Sequence, residues 1–253
     1  MFVSLVFPQN QVVELLRVPS TNKYVEEIIS KQNIPEGSIY YTFDQTAGIG
    51  QAENKWESEP GKNLTATMVV YPDFLLASEQ FFLTIVASLS VSDAVNGYLH
   101  GISSQIKWPN DIYVQHQKIA GILIKNFVTG DLLSATIIGL GLNINQVHFK
   151  EAPDAISLKI LTDTEFSINE VLTNWHDKFA FYYDKLKKNR NEILDLYLSR
   201  MYMRGVAANY LVGDKIVNAT ITGVDKYGFL VLNDSKGKKY VCGNKEIVYP
   251  PMR

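Results

Sequence analysis

The order of apolar and polar positions divides the chain into a mixed first part and a strand-rich tail. NLTATMVVYP at 63–72 alternates and then runs apolar into Pro72, the pattern of a buried strand. GSIYYTFDQTAGIG at 37–50 predicts a strand that leads into a glycine-bearing loop. SEQFFLTIVASLSVSDAVNGYLH carries Phe81, Phe82, Ile85, Val86 and Leu89 at helical spacing, a core-packing face. Ser20-Thr21-Asn22 ahead of KYVEEIIS supplies hydroxyls suited to capping a helix start. INEVLTNWHDKFAFYYDKL and NEILDLYLSRMYM predict two more helices. DIYVQ and KIAGILIKNFV flank His116-Gln117, which predicts a tight hairpin. SATIIGLGLNIN is β-branched up to Gly139 and then reads as a Gly-Leu-Gly turn. After Arg204-Gly205 come short alternating runs with Gly, Asn and Asp turns, which predict a small barrel. The expected fold is α+β: a mixed or antiparallel sheet with flanking helices over 1–204, then a small β domain over 205–253.

Composition narrows the function classes only a little. A chain of 253 residues can bury a sizeable core, and 46% hydrophobic with 20% charged residues is ordinary for a globular protein. A net charge of −2 and a pI near 6.1 give no global reason to bind nucleic acid or an anionic membrane. The single cysteine, Cys242, excludes an intramolecular disulfide. The opening MFVSLVFPQNQVVELLRVPS has no basic start and no long apolar core, so it does not read as a signal peptide. TIVASLSVSDAV is too short and too polar to span a bilayer. These features suggest a cytoplasmic protein.

Two stretches of chemistry compete for notice. His100, His116, His148 and His176 are scattered, with no pair at metal-ligand spacing, and Cys242 has no histidine near it in sequence. KWPNDIYVQHQKIAGI at 107–122 differs, because a tryptophan is costly to expose and ammonium groups are costly to bury. Lys107 and Lys118 straddle a hairpin that returns on itself, so both could face one pocket. Converging cations repel unless an anion lies between them, and a phosphate or carboxylate would serve. A solvated hairpin with a packed tryptophan is the alternative for this segment taken alone.

Further motifs decide between them. KWPND followed after six residues by KIAG closely resembles the signature of biotin protein ligases. VPSTN at 18–22 resembles the family's opening motif. QTAGIGQAENKWESEPGKNL at 45–64 resembles its biotin-and-ATP loop, and GLGLNIN at 139–145 its glycine-rich strand end. Four motifs in order make the resemblance specific. It implies a core like that of class II aminoacyl-tRNA synthetases, followed by an SH3-like β domain. It also implies ATP-dependent formation of biotinyl-5′-AMP, with Mg²⁺, and transfer of biotin to a lysine of a biotin carboxyl carrier protein domain. Only 19 residues precede Ser20, too few for a winged helix, so the type without a DNA-binding domain is expected. A homodimer is compatible with the family.

The resemblance also implies roles. Ser20, Thr21 and Gln45 match residues that bond the ureido ring of biotin, while Gly48 and Gly50 let backbone approach the ligand and Gly121 begins the strand beneath the biotin site. Trp56 walls the site. Gln51, Asn110, Asp111 and Asn143 fall on the nucleotide side, with Asp111 the partner for Mg²⁺. Lys118 matches the lysine that meets both the biotin carboxylate and the phosphate, and Lys107 supports its charge. One departure stands out. The family loop reads G-R-G-(R or Q)-x-G-(R or N)-x-W, whereas here its first arginine is Ile49 and its later glycine is Glu53. Losing an always-charged fork beside a phosphate is expected to cost roughly 1.5–3 kcal/mol of binding, and Glu53 adds a negative charge where ATP must dock, part of which Lys55 offsets. A non-catalytic binder of biotin or biotinyl-AMP and a lipoate ligase-like acyl enzyme are the alternative readings.

Overall fold

A computed structural model describes residues 6–50 and 54–250. Seven strands form the larger sheet: β1 (Val12–Leu15), β2 (Ile39–Thr42), β3 (Leu64–Val70), β4 (Gln105–Lys107), β5 (Asp111–Val114), β6 (Gln117–Thr129) and β7 (Leu132–Leu142). Their spatial order is β1-β2-β3-β7-β6-β5-β4. The first pair is parallel and the others are antiparallel, so the sheet is mixed. Helix α1 (Thr21–Ile28) covers one face, against β2, β3 and β7. The other face carries α2 (Phe81–Asn96), with α4 (Ile168–Lys188) and α5 (Arg190–Ser199) packed onto it. A short α3 (Leu158–Thr162) precedes α4.

Why these layers form follows from burial. Helix α2 is sandwiched between sheet and helices, so it is apolar nearly all round and not merely on one face. Its serines are buried too. Ser90 Oγ donates to the Ala87 carbonyl and Ser92 shares a bond with Ser104, which offsets the desolvation of these two, whereas Ser88 Oγ has no partner among the described residues.

Several local expectations need correction. Strand β7 does not turn at Gly139 but continues through Gly141 to Leu142. The hairpin turns at Gln115-His116, both at positive φ, and strand β6 resumes at Gln117. Helix α5 stops at Ser199 because the next residues pair elsewhere: Ile106 N donates to Arg200 O, and Tyr202 N to Ile106 O. Ser20 is the N-cap of α1, but its side chain makes no capping bond. Gln45 Oε1 accepts from the Thr21 amide instead.

The tail forms a second sheet of β8 (Ala207–Val212), β9 (Lys215–Val224), β10 (Leu230–Asp234), β11 (Lys239–Cys242) and β12 (Ile247–Val248). The order is β11-β10-β9-β8-β12, antiparallel throughout; among the described residues it is open, with β11 and β12 as its edges. It meets the larger sheet where Trp108 Nε1 donates to the Gly228 carbonyl at 2.8 Å. Among the described residues, no helix is long and apolar enough to cross a membrane.

Candidate active site

Directly paired residues of neighbouring strands project to the same face. The registers therefore align Thr42, Thr65, Gly141, Gly121, Asp111 and Lys107 in one row across β2, β3, β7, β6, β5 and β4. The next row runs Tyr40, Thr67, Gly139 and Leu123. Both rows lie on the α1 face. Two glycines in each other's register leave a flat floor, and a cleft of about 190 Å³ opens above it.

At one end of the cleft the polar groups are neutral. Thr21 Oγ1 bonds both Gln45 Oε1 and Thr67 Oγ1, and Thr67 also reaches Asn22 Oδ1 at 2.6 Å. A Cβ on Gly139 would lie 2.2 Å from Asn22 Oδ1, so only glycine lets that amide settle on the strand. Ser20, Thr21, Asn22 and Gln45 line the cleft together.

The loop from Gly48 forms the roof. Gly50 N donates to Asn54 O and Trp56 N to Gly48 O, with Ile49 bridged to Lys55 across the hairpin. Gly48 packs so closely on Trp56 and Gln45 that a Cβ would meet them below 3 Å. It supports the loop, whereas Gly50 lines the cleft itself. The Trp56 indole lies on the glycine floor, 2.3 Å from where a Gly141 Cβ would be. Its Nε1 is buried without a hydrogen-bond partner among the described residues. Gln51 and Glu53 lie outside the described residues.

At the other end the groups are charged. Lys118 Nζ sits 2.6 Å from Asp111 Oδ1, and both side chains are about a third exposed (32% and 30%). A bulge puts Lys118 there. Ile112 pairs with Ala120 but Tyr113 with Lys118, so β6 carries one extra residue, Ile119. Without it, Lys118, three residues before Gly121, would point to the opposite face.

Lys107 is on the same face but does not line the cleft. Its Nζ donates to the Tyr113 hydroxyl at 3.1 Å and sits over the Tyr113 and Tyr249 rings. Burial lowers its pKa, against the pull of Asp111. Asn110 does not line the cleft: its amide donates to the Ile122 carbonyl, leaving Oδ1 buried and unpartnered among the described residues. Asn143 lines a neighbouring cavity of about 180 Å³ with Trp56, Tyr113 and Lys118, and its Oδ1 is likewise unpartnered. Trp56 and Lys118 thus border both cavities.

Sequence reasoning left five contributors without a role. Gly139 and Gly141 read as a turn, although their spacing of two inside a β-branched run signals close approach to one strand face. Asn22 reads as part of a helix start and of the VPSTN motif, with no role of its own. Asn244 and Lys245 reach the cleft from the second sheet, which no local pattern announces.

The chemistry of this cleft agrees with the chain's relatives. A model of the biotin/lipoate A/B protein ligase family matches residues 15–143. The chain is 28% identical to the bifunctional ligase/repressor BirA of Bacillus spizizenii, over 88% of this chain and 70% of that protein. It is also 28% identical to the biotin–[acetyl-CoA-carboxylase] ligase of Paracoccus denitrificans, over 90% and 96%. Among solved structures, the biotin protein ligase from Aquifex aeolicus in complex with biotin and ATP superposes with a TM-score of 0.77 at 26% identity, covering 94% of this chain and 97% of that one. With the match spanning half its length, the chain belongs to the biotin/lipoate A/B protein ligase family.

Proposed function

We propose that this chain is a biotin protein ligase, which activates biotin with ATP to biotinyl-5′-AMP and transfers it to a lysine of a biotin carboxyl carrier protein domain. The observation that carries the reading is the polarity of the cleft. One end offers neutral hydroxyls and amides, the middle is a glycine floor, and the other end holds an ammonium. A ligand with a neutral polar head, an apolar body and a terminal carboxylate matches that sequence of groups. The relative named as a biotin–[acetyl-CoA-carboxylase] ligase and the Aquifex biotin protein ligase support biotin over lipoate.

The ureido ring then lies against Ser20, Thr21 and Gln45, and the valeryl chain runs along the Trp56 indole that covers Gly121 and Gly141. The carboxylate must attack an α-phosphate, and both are anions. Lys118, brought to the junction of the two cavities, offsets that repulsion and aligns the reacting atoms. Asn143 and the second cavity take the nucleotide. Lys107 acts at one remove, through Tyr113 and Asp111. Mg²⁺ belongs to the substrate, as MgATP. It is commonly held by one or two carboxylates plus phosphates, and Asp111 is the one carboxylate lining the cleft among the described residues. Among those residues, no group of three His, Cys, Asp or Glu could hold a metal unaided.

Residues 1–204 are read as the catalytic domain and 205–253 as the small SH3-like domain of the family. Biotin-dependent exchange between ATP and pyrophosphate tests the activity without a carrier. A chain that binds biotin but supports no exchange is a binder, and one that prefers lipoate in calorimetry is a sibling acyl enzyme.

A further inference from the structure

The charges lining the cleft do not balance. Among the described residues, Lys55, Lys118 and Lys245 line the cleft with a single carboxylate, Asp111, in a chain whose net charge is −2. Asp111 is taken by Lys118. Among the described residues, neither Lys55 nor Lys245 has an acidic partner within ion-pair distance. Two lysines without an acidic partner among the described residues therefore line one space, one from the roof loop and one from the turn between β11 and β12.

Their placement is specific. Lys55 is bridged directly to Ile49, so its side chain leaves the hairpin on the same side as the isoleucine that stands in the phosphate loop. Lys245 takes a left-handed backbone, φ 71°, which is uncommon for a residue with a Cβ and is often retained where a side chain must be aimed. The turn is held from behind: Glu246 Oε2 accepts from the Gly243 amide at 2.6 Å, and the Glu246 carbonyl accepts from the Gly213 amide. The one carboxylate beside Lys245 is thus engaged with backbone.

We propose that Lys55 and Lys245 form a two-sided clamp for the polyphosphate of the nucleotide, closing over the cleft from the loop on one side and from the second sheet on the other. The inference rests on the reading of the cleft as the site of adenylation. Two opposed ammonium groups suit a flexible chain of anionic phosphates, where point charges are sufficient and bidentate geometry is not needed. The charge that a loop arginine would have supplied at position 49 comes instead from across the hairpin and from the tail.

The test uses the full chain in biotin-dependent ATP–pyrophosphate exchange, with Lys55→Ala, Lys245→Ala, the double variant and Lys245→Arg. Each single loss is expected to raise KM for ATP about tenfold, the scale of one charge-assisted hydrogen bond, and more than it lowers turnover at saturating ATP. Biotin affinity measured without ATP stays within about twofold, because Ser20, Thr21 and Gln45 form a separate set of contacts. Lys245→Arg keeps most of the affinity. Ile49→Arg in the Lys55→Ala background restores it, since both positions project to one side. Calorimetric binding of inorganic tripolyphosphate to wild type and double variant probes the clamp even if the wild type shows no exchange, an outcome that would sink the ligase reading separately. Unchanged KM for ATP and unchanged tripolyphosphate binding in the double variant overturn the clamp. So does an effect confined to KM for the carrier protein, which would make these lysines a protein-docking pair.

Discussion

Lys118 is placed by a bulge, paired with Asp111 and shared by two cavities, so its ammonium meets whatever reacts at their junction. Lys118→Ala is expected to abolish adenylate formation while biotin affinity changes only a few-fold. In the proposed reading the ammonium acts on charge that develops during attack, whereas the ureido contacts lie at the far end of the cleft. Folding should survive, because an ion pair about a third exposed is worth only about 1 kcal/mol or less. Single-turnover measurement of biotinyl-AMP checks it, and near-wild-type turnover would remove Lys118 from the mechanism. At the ureido end, a biotin analogue lacking one ureido hydrogen-bonding group should bind several-fold to about a hundredfold more weakly. A buried polar group left unpaired costs about 1–3 kcal/mol, and competition calorimetry reads that directly.

Among the elements, β7 shows where sequence reading succeeded and where it stopped. The β-branched run before Gly139 announced a strand, but its end was hidden, because glycine serves turns and close approaches equally well. Only the partners distinguish them: Asn22 lies over Gly139 and Trp56 over Gly141, and both come from distant segments. Gly141→Ala should therefore push the indole off the floor. The expected signature is a changed tryptophan emission and at least about tenfold weaker biotin binding. The melting temperature should fall by only a few degrees, since the loop can move while the sheet stays paired. The reverse pattern, a large loss of stability with biotin affinity intact, would show that the floor is structural only. The motif lysines were equally legible as residue types but not as directions. Alternation alone sends Lys118 to the wrong face, and the extra residue Ile119 corrects it. Helix α4 adds a titration. His176 is fully buried beside Phe7, and burial outweighs the nearby Asp177 to hold its pKa below the usual 6.5. The unfolded chain then binds a proton that the folded chain resists, so stability is lost as pH falls through and below that value. His176→Gln should flatten the fall in melting temperature between about pH 7 and about pH 5. An equally steep fall in the variant would place the acid sensitivity elsewhere.

At the scale of the molecule, the two sheets meet at a seam that no sequence pattern foreshadowed, and the cleft draws on both. The hinge of that seam is Gly228. Its φ is +89°, its carbonyl accepts the Trp108 indole N–H, and a Cβ there would lie 2.2 Å from Cγ of Phe81 at the start of α2. Gly228→Ala must strain the turn and push the second sheet away from the helix, at a cost of about 1–3 kcal/mol. Because Lys245 rides on the displaced sheet while Ser20 and Thr21, at the start of α1, and Gln45, in the loop after β2, do not, the loss should not be shared evenly. ATP affinity should fall and biotin affinity should hold. Gly237→Ala separates the two causes: its φ is +82°, in a turn of the same sheet, but a Cβ there meets nothing within 4 Å. It imposes the backbone strain without the collision, so it should lower the melting temperature while leaving KM for ATP unchanged. If Gly237→Ala raises KM for ATP as much as Gly228→Ala does, the effect reflects general loosening of the second sheet, and the seam has no particular role in presenting Lys245. If neither change affects ATP, the cleft is complete within the larger sheet.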